Sequence, residues 1–424
     1  MGSRRLSGVR RGCLLASTGG GGRLERRAFH RLGANTEAEG NTMQHRSSDA
    51  GIEWDDLNEL IISAQQAGNY DMAIELARRA LKIAERNAGP DHPDVATSLQ
   101  NLAVLYQEGG ERNKAAPLLE RALAILKRAL GPDHPEVGEV LRSLGEVYQD
   151  LGQNARAEPF FKQALEILER RRGADHPEVM SLLISLGTLY FMERENGKAE
   201  SLLQRALAIA EKVFGFDHPR VAAILVNLGG LYQTQGAYNK AEAVFKRALA
   251  ITESKLGPDQ PEVVAILHNL ALLHQAQRQF DQAEHLCKRA VAIGEKAWGP
   301  DHPDGATSLN NLAILYKTLG RYTEAEPLLK RVVAIMEQAL GSRHPNVAMA
   351  QQNLADLYCA QGRYVQAEPL YRRALAVREK TLGPGHPSVA RVLESLAAMY
   401  RASNRIAEAE QIERRFAAAR GRKR

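Results

Sequence analysis

Apolar residues in this chain return at helical spacing in blocks of about 15 positions, and the blocks come in pairs. Within residues 93–135, Leu99, Leu102, Ala103 and Tyr106 fall at i, i+3, i+4 and i+7, on one face of a helix. Gly109 and Gly110 interrupt that stripe. A second one follows through Ala115, Leu118, Leu119, Ala122, Leu126 and Leu130. Gly131 and Pro132 then stop the second helix, because glycine admits a left-handed cap and proline cannot continue a helix. Pro135 suits the first turn of the next helix, with Glu136 against the positive end of its dipole.

The phrase that carries this stop and start, Gly-Pro-Asp-His-Pro or a near copy, recurs every 42 residues. Its glycines are Gly89, Gly131, Gly173, Gly215, Gly257, Gly299, Gly341 and Gly383. A fixed period of this size is the signature of stacked supersecondary units, none of which buries its apolar face alone. The pattern therefore predicts an all-α, right-handed α-solenoid of about nine helix pairs over residues 52–419. It lies between a basic, Gly-rich segment at 1–51 and a basic tail at 420–424. Ala115, Ala157, Ala199, Ala241, Ala283, Ala325, Ala367 and Ala409 should let paired helices approach closely. Bulkier residues four places later, such as Leu119, Phe161 and Phe245, should fill the space between units.

Charge changes this picture little. The net +6 gathers at the ends: nine Arg against Glu25, Glu37, Glu39 and Asp49 in the first 50 residues, then Arg420, Arg422, Lys423 and Arg424. The repeat body is slightly acidic, whereas a solenoid wrapping nucleic acid should carry positive charge along its groove. No run of 18 apolar residues occurs, so no membrane span is predicted. Met1 to Leu24 is Arg-rich and free of acidic residues, as organelle transit peptides are, but Gly19–Gly22 would break a targeting helix. A disordered tail, or a true start at Met43, is the expectation, with a cytoplasmic location; organelle targeting by residues 1–24 is the alternative. Cys13, Cys287 and Cys359 show no CxxC spacing, and Cys287 reads as a small core residue.

The unit resembles a tetratricopeptide repeat. The motif's residue order appears as Asn101, Leu102, Ala103, Tyr106, Gly110, Ala115, Leu119 and Ala122. The 42-residue spacing, the phrase Leu-Gly-Pro-Asp-His-Pro and the run Asn310-Asn311-Leu312-Ala313-Ile314-Leu315-Tyr316 resemble the kinesin light chain type. The resemblance implies an adaptor that holds an extended peptide or a partner helix in a groove lined by the first helix of each pair. The long heptad region that joins kinesin light chains to their motor has no counterpart in residues 1–51, which disfavours a motor subunit.

Carried over residue by residue, the resemblance puts Asn101, Asn227, Asn269, Asn311 and Asn353 on the groove, with Ser143, Ser185 and Ser395 departing from the pattern. An Asn amide both donates and accepts, which suits an extended backbone; the alternative is a bond within its own unit. Ile184, Phe191 and Met192 should form an apolar patch extended by Val226 and Leu272, whereas His268, Asn310, Lys317 and Gln352 should be polar. Arg142 among Glu139, Glu146 and Asp150 makes the third unit mixed, so no single-sign clamp emerges.

Other signals read as structural. His92, His134, His176, His218, His302, His344 and His386 should cap turns, since they lie a full repeat apart and cannot share a metal. His274 replaces the usual Tyr and should be a core or hydrogen-bonded residue. Glu158/Lys162, Glu242/Lys246, Glu284/Lys288, Glu326/Lys330 and Glu368/Arg372 read as solvated i,i+4 pairs. No phosphate loop, HExxH or GxSxG sits in suitable context, so the chain is expected to be no enzyme and to need no cofactor or metal. The function expected is a protein-interaction scaffold with a protein or peptide partner, monomeric, binding neither nucleic acid nor membrane. A self-associating spacer, or a regulatory arm for an enzyme on another chain, is the alternative.

Overall fold

A computed structural model describes residues 54–421 apart from Gly68. Among the described residues there are helices and no strands. The chain divides into two compact units, with the boundary between Ala237 and Tyr238. The first holds α1 (Trp54–Gln66), α2 (Tyr70–Ala88), α3 (Pro93–Glu108), a short 3-10 turn at Arg112–Lys114, α4 (Ala115–Leu130), α5 (Pro135–Asp150), α6 (Asn154–Arg172), α7 (Pro177–Met192), α8 (Asn196–Phe214) and α9 (Pro219–Gln235). The second holds α10 (Tyr238–Leu256), α11 (Pro261–Ala276), α12 (Phe280–Trp298), α13 (Pro303–Thr318), α14 (Tyr322–Leu340), α15 (Pro345–Ala360), α16 (Tyr364–Leu382), α17 (Pro387–Ala402) and α18 (Ile406–Gly421). The last helix runs into the stretch that the sequence assigned to the basic tail. Within each unit every helix packs on the next in chain order, the consecutive packing of a tetratricopeptide solenoid.

The recurring phrase works as read, with one difference. Each phrase histidine is the N-cap of a first helix: His92, His134, His176, His218, His302, His344 and His386 accept from the backbone N–H two residues on through Nδ1, at 3.1–3.3 Å. Proline occupies the first helical position after each. Gln260 stands in the eighth copy and makes no such bond. The glycine before the phrase was expected in the left-handed helical region. Gly131 instead has φ 88° and ψ 159°, an extended conformation that a Cβ would clash out of. The chain therefore leaves each second helix in a straight spur, not a curled cap.

Inside a pair, size is matched across the two helices. Phe161 of α6 is fully buried, and its ring would lie 2.6 Å from a Cβ built on Gly145 of α5. The large residue thus fills the interior of its own pair, where the sequence had placed it between pairs. The missing Cβ on the first helix is what admits it. In α3/α4 and α13/α14 the same positions hold Ala103 with Leu119 and Ala313 with Leu329, all buried. Cys287 is fully buried at this position too, and burial pushes its thiol up to about 12, as a core residue requires. His274 is buried, with Nδ1 2.5 Å from Gln279 Oε1.

Adjacent pairs are joined by a clamp that the sequence reading missed. The glutamates of the i,i+4 pairs do meet Lys or Arg, at 2.7–2.9 Å. Four of them also accept from the tyrosine of the following repeat: Tyr190 on Glu158 at 2.7 Å, Tyr316 on Glu284 at 3.2 Å, Tyr358 on Glu326 at 3.3 Å and Tyr400 on Glu368 at 2.8 Å. In the second unit an arginine from that same repeat completes each site. Arg321, Arg363 and Arg405 bond the glutamate at 2.5–2.6 Å and lie over their own tyrosine ring at 4.3–4.5 Å. These donors, with Arg321 and Arg363 foremost, hold the Glu284 and Glu326 carboxyls down at about 2. The pairs are therefore inter-repeat fixtures and not merely solvated surface. A second line of exposed ion pairs runs through the turns, where Asp91, Asp133 and Asp259 meet Arg128, Arg170 and Lys296 of the next second helix at 2.8, 3.4 and 2.7 Å.

Candidate functional site

First helices lie side by side within each unit: α5 on α7 and α7 on α9, then α11 on α13, α13 on α15 and α15 on α17. Each buries one stripe in its pair and leaves another on a common face. Asn101, Asn227, Asn269, Asn311 and Asn353 are all half-buried on that face. Asn101, Asn227, Asn269 and Asn311 make no side-chain hydrogen bond among the described residues. Asn353 differs, donating through Nδ2 to Oδ1 of Asn310 on the neighbouring first helix at 2.8 Å. Each amide that has no bond within its unit keeps both a donor and an acceptor for something outside it.

In the first unit, Ile184 and Phe191 are half-buried and Met192 is 53% exposed, with its Sδ accepting from Gln149 at 3.8 Å. This apolar patch on α7 adjoins half-buried Val226 on α9. On α5, Arg142 bonds Glu146 at 2.6 Å, and burial, with the Glu178 carboxylate nearby, raises Glu139. In the second unit, Leu272 and Ile314 are half-buried beside Asn269 and Asn311. Asn310 and Lys317 are half-buried as well, but Gln352 is only 6% exposed and offers the face little.

One residue that the sequence did not single out belongs here. Asp356 on α15 accepts from Tyr371 Oη at 2.5 Å; burial raises its carboxyl, and Lys317, Arg378 and Arg391 oppose that rise. The signal was available: Asp356 stands where the equivalent positions hold Leu272 and Ile314. Among the described residues no group of His, Cys, Asp or Glu is arranged to hold a metal ion, and no helix is long and apolar enough to cross a membrane.

His268, expected as a polar groove residue, has Nε2 3.0 Å from the Oγ of buried Ser308 on α13. Burial lowers it to about 4 from its ordinary 6.5, because the imidazolium is disfavoured there. A group depressed in this direction takes up its proton first in the unfolded chain. Its contribution is complete above pH 6.5 and lost as pH falls towards 4. We expect the second unit to lose about 1–2 kcal/mol between pH 7 and pH 5 that a His268→Gln variant does not lose, read from urea midpoints at the two pH values.

A tetratricopeptide repeat family model matches residues 57–128, 110–170, 137–212, 178–254, 262–338, 316–380 and 346–420. The chain belongs to the tetratricopeptide repeat family. Its repeats are of the kinesin light chain-like type: it is 31% identical to a solved Podosopora anserina kinesin light chain fragment of nearly identical TPR-like repeats, covering 49% of this chain and 97% of that one, with a TM-score of 0.44. BtubC (BKLC) from P. vanneervenii is 26% identical over 56% of this chain and 90% of that one, with a TM-score of 0.45. The apo quorum sensor NprR from B. thuringiensis shares the fold at 14% identity, over 86% of this chain and 96% of that one, with a TM-score of 0.55. No curated protein matches the chain. The tetratricopeptide fold is commonly a protein-interaction scaffold and generally non-enzymatic.

Proposed function

We propose that this chain is a non-enzymatic scaffold that holds an extended peptide or a partner helix on the face of its first helices. The observation that carries the reading is the pair Asn269 and Asn311. They sit at equivalent places on touching helices, half-buried, without a hydrogen-bond partner among the described residues. Helix-packing distances set such residues about 10 Å apart, close to three residues of extended peptide. Two amides at that interval bond backbone groups of any sequence, and Leu272, Ile314 and Lys317 beside them give selectivity to side chains. In the first unit, Asn227 beside Ile184, Phe191 and Val226 offers the same chemistry with an apolar bias.

A structural spacer is the weaker reading. At the position where α4, α6, α8, α14 and α16 bury Leu119, Phe161, Leu203, Leu329 and Tyr371, α18 carries Glu413, which is paired to Arg401 at 2.7 Å. That charge disfavours continued stacking. The test is selection of random peptides from a display library on the whole chain. The reading predicts enrichment of one related peptide group whose binding survives an excess of single-stranded nucleic acid. Recovery of no peptide above background from libraries of both linear and helical design would contradict it.

A further inference from the structure

The first helix of the stack has an apolar face with nothing described against it. Leu60 on α1 occupies the place of Leu102, Leu144, Leu186, Leu228, Leu270, Leu312, Leu354 and Leu396, which are 0–6% exposed, yet Leu60 is 42% exposed and Ile62 beside it 41%. Each counterpart belongs to a helix that follows another packed on it. Among the described residues α1 alone has no such predecessor. Its position is built to be covered.

We propose that residues 23–32 of this same chain dock on the open face of α1 and close the stack at that end. The segment reads Arg-Leu-Glu-Arg-Arg-Ala-Phe-His-Arg-Leu, with Leu24, Ala28 and Leu32 at i, i+4 and i+8, one apolar stripe if helical. Arg23, Arg26, Arg27 and Arg31 flank the stripe, and the start of α1 is acidic in sequence, Glu53-Trp54-Asp55-Asp56 and Glu59. The charges are complementary. Distance favours the tether as well. Leu60 lies six residues into α1, about 9 Å from where the chain enters it. The intervening residues 33–53 reach about 70 Å when extended, so they can fold back without strain. A tethered segment is present at an effective concentration in the millimolar range, above that of any separate copy in dilute solution. A second copy added tail to head would have to bury the Glu413–Arg401 pair of α18 against Leu60.

The test uses the full chain and its Leu24→Asp/Leu32→Asp variant, both followed by hydrogen exchange at two protein concentrations. The substitutions lie outside the described helices and remove no contact among them. Backbone amides around Leu57–Ala64 should exchange about tenfold faster in the variant, with those of α3 onward unchanged. Equal exchange in the two proteins would overturn the proposal. So would protection of α1 that rises with concentration together with a doubled sedimentation mass, which would assign the face to a second copy.

Discussion

Phe161→Ala is expected to lower the unfolding free energy of the first unit by about 3–5 kcal/mol, because a fully buried ring leaves a cavity that two flanking helices cannot collapse into. Gly145→Ala, which adds one methyl group, is expected to cost about 1–3 kcal/mol, since the new Cβ would meet the ring of Phe161 at 2.6 Å. The sign of the second effect is informative. Glycine in a helix interior is ordinarily worse than alanine by about 1 kcal/mol, so packing must outweigh propensity for the substitution to destabilise. Combining Gly145→Ala with Phe161→Leu recreates the Ala103/Leu119 pairing of α3 and α4, and should recover most of the loss. Denaturant midpoints and slopes of the three variants decide the matter. A Gly145→Ala protein as stable as its parent would show that the pair is not packed as described.

The second large effect concerns binding. Against a peptide selected on the whole chain, Asn269→Ala with Asn311→Ala should weaken affinity about thirtyfold, as expected for two lost amide hydrogen bonds of about 1 kcal/mol each. Helical content and unfolding midpoint should not change, because neither amide has a partner among the described residues. Asn353→Ala serves as the contrast: its amide already bonds Asn310 at 2.8 Å, so its loss should be felt in the fold as well. Unaltered affinity in the double variant would remove the two amides from the binding site.

How much of this was legible beforehand depends on how local the cause is. Cap, turn and helix stripe are set by a few neighbouring residues, so the phrase histidines and the pairs of helices could be read directly. The interior role of Phe161 could not, because it depends on Gly145, which lies on another helix. The clamp glutamates were misread for the same reason. Glu284 and Lys288 are neighbours in sequence, whereas Tyr316 and Arg321 reach that carboxylate only after the next pair has stacked. On the candidate face, the asparagines were found through their period, Gln352 proved buried, and Asp356 was overlooked because its partner Tyr371 sits on the following helix. Residues 1–24, read as a tail or leader, lie outside the described residues.

The most direct test of the interaction face is a photo-cross-linking map. The selected peptide, carrying a benzophenone side chain at successive positions, is irradiated with the full chain, and the adducts are located by mass spectrometry. Adducts at Leu272, Ile314 and their neighbours on α11 and α13 are the predicted result. Adducts confined to second helices, around Lys288 and Lys330 on α12 and α14, would place the partner on the opposite side of the stack and contradict the account.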